Sequence, residues 1–173
     1  MKSLNRKFYL ILSVLISFVI LTGCQQQKTD PSEQLKPITD KYIAVWNGGD
    51  ASELDAIIDS NFIYHSNKLP EVNGIDGIKK EIAETRTMFP DLKLVVKDGI
   101  FSENEVATRW HLTGTNTGAG EMPATGKPID IWGNAIIHIE NGKLTEEWNA
   151  YDRLSVMEQL GFTLMPPSNE KTK

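Results

Sequence analysis

The stretch that most constrains this chain is residues 129–152, IDIWGNAIIHIENGKLTEEWNAYD. Two runs rich in β-branched and aromatic residues flank Asn141-Gly142. Both turn residues tolerate the positive φ that a tight hairpin turn demands, so this reads as a long β-hairpin. A lone hairpin is marginal in water, so one of its faces has to pack on a core. Side chains alternate along a strand, which puts Glu147, Asn149 and Tyr151 on one face and Trp148 and Ala150 on the other. One face can therefore be core while the other lines a cavity or meets water.

The rest of the sequence supplies cover and further strands. Leu35, Ile38, Tyr42, Val45 and Trp46 recur at spacings of three and four and mark one face of a helix ended by Asn47-Gly48-Gly49. Pro37 suits such a helix if it falls in the first turn. A short second helix, capped by Asp50 or Ser52, has Leu54, Ile57 and Ile58 inward. Residues 62–65 read as a short strand and residues 68–73 as a loop. A third helix spans about residues 75–88, with Ile75, Ile78, Ile82 and Phe89 on its apolar stripe and Pro90 as its stop. The period then switches to two. Strands are expected over about residues 92–101 and 106–115, followed by a Gly- and Pro-containing loop over 118–127 of the kind that borders sites. After the hairpin comes a short helix over 153–160, with Asp152 placed to cap it. Helices first and a meander after define an α+β fold, an antiparallel sheet covered by helices on one face.

The N-terminus reads differently. Lys2, Arg6 and Lys7 precede an apolar run over residues 8–21, and Leu21-Thr22-Gly23-Cys24 follows. This resembles a bacterial lipoprotein signal, which implies cleavage before Cys24 and acylation of that cysteine. The apolar run is short beside the roughly 20 residues of a spanning helix. Residues 1–23 are thus expected to be a signal peptide, 24–32 a polar tether, 33–165 the folded domain and 166–173 a loose tail. The protein is expected in the cell envelope, lipid-anchored on the extracytoplasmic side of a membrane. Cys24 is the only cysteine, so neither an intrachain disulfide nor a cysteine nucleophile is available. Removing Lys2, Arg6 and Lys7 from the 18 basic residues leaves 15 against 23 acidic ones, a net charge of −8. That balance, with no basic patch, argues against nucleic acid as a partner.

Several strings then coincide with one family. They are Phe89-Pro90-Asp91-Leu92, then residues 106–110 (VATRW) leading to 114–118 (GTNTG), then 123–129 (PATGKPI), then Asn141-Gly142-Lys143-Leu144, Glu147-Trp148-Asn149 and Gln159-Leu160-Gly161. Their order and spacing resemble the SnoaL-like polyketide cyclases, within the NTF2-like cone folds, over roughly residues 35–161. The resemblance implies a strongly bent sheet wrapped around N-terminal helices, with an apolar pocket inside. It also implies ring closure by aldol condensation without cofactor or metal, using an aspartate on the last strand as acid and base. That aspartate corresponds to Asn149 here. A carboxamide cannot take the proton, although it can donate a hydrogen bond to a developing enolate oxygen or hold a ligand carbonyl.

Other side chains offer chemistry at the same place. Glu147 shares the face of Asn149; lining a pocket it would be a base with a pKa raised by burial, but the rarity of buried unpaired Glu favours a solvated carboxylate at the strand end. Arg109 and His111 share a face of their strand, either as a pocket wall with His111 shuttling protons, or as an exposed sheet face paired to acids. His65 ends the first strand, near the mouth that the resemblance implies. Trp46, Phe89, Met122 and Trp148 are candidates for an apolar ligand surface. His138 reads as a sheet-surface residue. No metal-ligand spacing, nucleophile elbow or phosphate loop occurs. Two functional classes follow: a lipoprotein that binds a small hydrophobic or carbonyl compound, and an enzyme using general acid/base catalysis at Asn149, His111 and Glu147. A third is an interaction module pairing as a homodimer through the outer sheet face.

Overall fold

A computed structural model of the chain describes residues 30–66 and 70–165. The expected signal peptide with Cys24, and the expected tail, lie outside the described residues. No helix among the described residues is long and apolar enough to cross a membrane.

Helix α1 (Pro31–Trp46) starts earlier than its apolar stripe suggests. Asp30 caps it by accepting from the backbone N–H of Ser32 at 3.0 Å, and Pro31 occupies the first turn, where a missing N–H costs nothing. Pro37 therefore sits inside the helix rather than in its first turn. At the other end Asn47 binds the backbone of Leu94: its Nδ2 donates to the Leu94 carbonyl at 2.9 Å, and Leu94 N donates back to Oδ1 at 2.8 Å. Gly48, at φ +94°, then turns the chain beneath the Arg86 side chain, whose Nη1 donates to the carbonyl of Trp46.

A 3₁₀ turn capped by Asp50 leads into α2 (Leu54–Ile57). Next come β1 (Ile58–His65), the two-residue β2 (Val72–Asn73) and α3 (Gly74–Met88). The meander follows as β3 (Lys93–Phe101), β4 (Glu105–Thr115), β5 (Pro128–Glu140) and β6 (Lys143–Tyr151), and α4 (Arg153–Gln159) closes the chain. Asp152 accepts from Ser155 N at 2.9 Å and is the cap of α4.

The six strands form one sheet in the order β2-β1-β6-β5-β4-β3. Strands β3 to β6 pair antiparallel as a meander, but β1 runs parallel to β6, so the sheet is mixed rather than wholly antiparallel. Strand β1 is also twice the expected length and takes Ile58 as its first residue, because Asp59-Ser60-Asn61 hides its alternation. The Asn141-Gly142 turn is as expected, both residues at positive φ. Strand β5 alternates buried and exposed along nearly its whole length, with Ile129, Ile131, Ala135, Ile137 and Ile139 inward. These pack with Tyr42, Val45 and Trp46 of α1, Ile78 and Ile82 of α3, and Val156 of α4 in one core on one side of the sheet. Among the described residues, the opposite face carries no helix of this core.

Candidate functional site

Sheet and helices do not fill the space between them. A cavity of about 340 Å³ remains, lined by α1, α3, α4, the inward face of β4–β6, Tyr64 of β1 and the loop at residues 119–122. Its walls are apolar: Ile129, Ile131, Ala135 and Ile137 of β5, Trp110 and Leu112 of β4, and Phe89 and Leu92 beyond α3. Trp110 reaches its place only because Gly133 faces it on β5; a Cβ there would lie 2.1 Å from the indole.

Polar groups converge at one part of this wall. The alternation of β6 turns Glu147, Asn149 and Tyr151 inward. Glu147 lies beside Tyr64 in the parallel register of β1 and β6, and Tyr42 of α1 comes from the helix side. Asn149 Nδ2 donates to Tyr64 Oη at 2.8 Å, leaving that hydroxyl's own proton available to another acceptor. Three buried atoms here have no hydrogen-bond partner: Tyr42 Oη, Glu147 Oε2 and Asn149 Oδ1. Buried polar atoms are nearly always paired, so three orphans around one cavity suit groups that a ligand satisfies.

The electrostatics single out Glu147. It is 4% exposed, against the expected solvated carboxylate. The strand turns this side chain into the cavity, where Tyr42 of α1 lies near its carboxyl. Burial pushes its carboxyl from 4.5 up to about 7, opposed by the nearby Tyr42 hydroxyl, which favours the charged form. Tyr42 Oη nonetheless makes no hydrogen bond of good geometry, so proximity rather than a formed bond links the two. Burial first, and then the Glu147 charge, raise the Tyr42 and Tyr64 phenols well above their ordinary range, so both stay protonated donors. Near neutral pH the site thus holds a carboxyl present in both forms, two phenol donors and a carboxamide.

The remaining candidates divide by face. Trp46, Phe89 and Met122 line the cavity with Glu147 and Asn149. His111, Arg109, His65 and Trp148 do not; they lie on the outer face. His111 Nε2 pairs with Asp130 at 2.7 Å and its ring stacks on Trp132. Arg109 Nε donates to Asp98 at 2.6 Å, and its guanidinium also sits over Trp132. His65 lies between Glu71 and Glu146, at 2.6 and 2.9 Å, and stacks on Trp148, which is 52% exposed. An acid/base pair of His111 with Asn149 is therefore corrected: alternation on β4 turns Trp110 inward and its neighbours Arg109 and His111 outward. Trp148 is excluded from the cavity by the same rule, one residue from Glu147. Tyr42 and Tyr64 were not singled out from sequence. Their signals were weak but present, Tyr42 one turn before Trp46 and Tyr64 two residues after Phe62. Among the described residues no group of three or more His, Cys, Asp or Glu is arranged to hold a metal ion.

Comparison with known proteins agrees with this architecture. The SnoaL-like polyketide cyclase family matches residues 36–160, and the chain belongs to that family. A candidate polyketide cyclase from Acidithiobacillus ferrooxidans is 26% identical, with 76% of this chain and 97% of that one aligned at a TM-score of 0.66. A candidate SnoaL-like polyketide cyclase from Jannaschia sp. CCS1 shares the fold at 21% identity, 82% and 99% coverage and a TM-score of 0.71. TsrD from Streptomyces laurentii does so at 24% identity, 75% and 96% coverage and a TM-score of 0.67. The fold is the NTF2-like cone, its mixed sheet not closed on itself. No curated protein sequence matches the chain.

Proposed function

We propose that the cavity takes up a small carbonyl compound and that Glu147 moves a proton on it, an acid/base reaction of the cyclase or isomerase type. The observation that carries this is the buried Glu147 carboxyl, with one oxygen unpartnered and its pKa raised to about 7. A catalytic group is most effective with a pKa near the working pH. The ionised carboxylate takes a proton from the carbon next to the carbonyl. The C–H electron pair becomes the enolate double bond and the charge moves to oxygen, where a phenol of Tyr42 or Tyr64 donates to it. The proton then returns to carbon, or the enolate carbon attacks a second carbonyl and closes a ring, the displaced C=O electron pair becoming an alkoxide that takes the proton back from Glu147. Asn149, standing where the family's aspartate is expected, holds Tyr64 rather than taking the proton.

The test is proton–deuterium exchange at the α-carbon of small cyclic ketones, followed by NMR in D₂O. Exchange is expected to rise with pH through an inflection near 7 and to be lost in Glu147→Gln. Exchange that Glu147→Gln leaves intact sinks the proposal. Ligand binding without exchange by the unaltered protein points instead to a carrier. The lipoprotein-like N-terminus adds the proposal that this domain works at a membrane, tethered through acylated Cys24 on its extracytoplasmic side. Mass spectrometry of the N-terminus from native cells tests that, and an unmodified Cys24 overturns it.

A further inference from the structure

Glu147 and Asn149 are successive cavity-lining residues of β6, but they differ in what they can exchange with a ligand. A carboxyl can lose or hold a proton and so accept or donate. A carboxamide is fixed at every pH, with donors on nitrogen and only an acceptor on oxygen. Tyr64 decides which end of the Asn149 amide is spent. Nδ2 donates to Tyr64 Oη at 2.8 Å, and Oδ1 is the end left buried without a donor. Tyr42 Oη, also unpartnered, is a protonated phenol with a hydrogen to give, which suits a ligand carbonyl. A plain ketone serves that phenol but brings no hydrogen for Asn149 Oδ1. Water can serve such an atom in an unliganded cavity. A ligand that fills apolar walls displaces it, and the acceptor then stays bare unless the ligand itself carries a donor. An aspartic acid at this position could take up a proton and donate instead; the carboxamide oxygen cannot.

We propose that Asn149 is a specificity-determining residue, its Oδ1 accepting a hydrogen bond from a neutral O–H or N–H that the substrate carries on the same skeleton as its carbonyl. The substrate class is then a carbonyl compound with its own donor, rather than a simple ketone. Tyr64 is the positioning residue, since by engaging Nδ2 it keeps Oδ1 free for the ligand. A site built around such a bond discriminates strongly against the analogue that lacks the hydrogen. The inference rests on the reading above only in taking this cavity as the site of a carbonyl ligand.

The experiment measures binding to the full chain by ligand-observed NMR titration. The probes are 1-tetralone, its 5-, 6- and 7-hydroxy derivatives and the three corresponding methyl ethers, so that the donor is moved around the ring and then removed with its oxygen kept. A hydroxyl without a partner weakens entry into an apolar cavity, because it leaves water behind. At least one hydroxytetralone is nevertheless expected to bind about tenfold tighter than both its methyl ether and 1-tetralone. Asn149→Leu should abolish that preference. Tyr64→Phe, which frees the amide to present Nδ2 instead, should cut it to about threefold. Hydroxytetralones that all bind no tighter than their ethers overturn the inference and leave the cavity as a ligand site. A preference that survives Asn149→Leu gives the ligand's hydrogen to another acceptor and overturns it too. No binding by any probe overturns both readings. Loss of exchange in Glu147→Gln is a separate readout, bearing on the acid/base reading alone.

Discussion

The outer face of this sheet and the cavity on its other side carry polar side chains in opposite condition. On the outer face each candidate catalytic residue is already paired. Glu71, His65, Glu146, His138 and Glu105 form a continuous chain of contacts across the strands, His111 is held by Asp130, and Arg109 by Asp98. In the cavity Tyr42 of α1 and Glu147 and Asn149 of β6 each keep a buried atom unpaired. The residue types most associated with catalysis, histidine and arginine, are therefore engaged in surface contacts. The group available for chemistry is a glutamate that sequence reading favoured as solvated. What distinguishes a site here is unsatisfied bonding capacity in a dry place, not residue type.

The sharpest way to break that comparison is Glu147→Gln. Turnover or exchange should fall at least about a hundredfold, the usual contribution of a positioned base. Stability should move the other way. A carboxyl whose pKa rises from 4.5 unfolded to about 7 folded holds its proton more tightly in the native state. Native stability is therefore lost as pH climbs from 4.5, with the full penalty, about 3 kcal/mol, present above pH 7. Urea denaturation at pH 5 and pH 8 should show a decline in the parent protein that Glu147→Gln lacks. Equal pH dependence in the two would mean that Glu147 is not buried as described.

Two asparagines sharpen the comparison further. Asn116 is fully buried and fully used: Nδ2 donates to the carbonyls of Met88 and Gly118, and Oδ1 accepts from Thr125 N and Oγ1. It ties the loop at the cavity mouth to the end of α3. Asn116→Ala should cost about 3 kcal/mol in urea denaturation, since it strands several buried partners at once. Tyr64→Phe, which removes the acceptor of Asn149 Nδ2, should cost less, about 1–2 kcal/mol. It should lower exchange more than its stability cost explains. A Tyr64→Phe protein with normal exchange at pH 7 would remove that phenol from the oxyanion role and leave Tyr42.

Much of the architecture was legible because it rests on periodicity and turn chemistry. The hairpin turn, the inward set of β5, the capping of α4 by Asp152 and the division of β6 into two faces all follow from alternation or capping rules. The parallel pairing of β1 with β6 was not legible, since Asp59-Ser60-Asn61 carries no alternation and long-range pairing leaves no local mark. The site was half legible. Alternation correctly grouped Glu147 with Asn149 and set Trp148 apart, yet it cannot say which face of β4 turns inward, so Arg109 and His111 stayed ambiguous. The burial of Glu147 depends on helices such as α1, which brings Tyr42 to the same cavity, a tertiary fact with no counterpart in residues 147–149.

The smallest expected effect is the most exacting check on the contrast between faces. His111→Ala removes an ion-pair partner of Asp130 and a ring stacked on Trp132, where Arg109 also sits. Asp130 is exposed and Trp132 is 47% exposed, so water can take over much of what is lost. Exposed pairs of this kind contribute about 0.2–1 kcal/mol, screened further by salt. The substitution should therefore shift the urea midpoint slightly and leave the pH profile of exchange unchanged. The backbone of β4 does connect His111 to the cavity, because its neighbours Trp110 and Leu112 are both lining residues. A loss of exchange with an unchanged inflection would indicate that the outer contacts hold those two side chains in place. A displaced inflection would mean that protons reach the cavity from the outer face, and the separation of the two faces would fail.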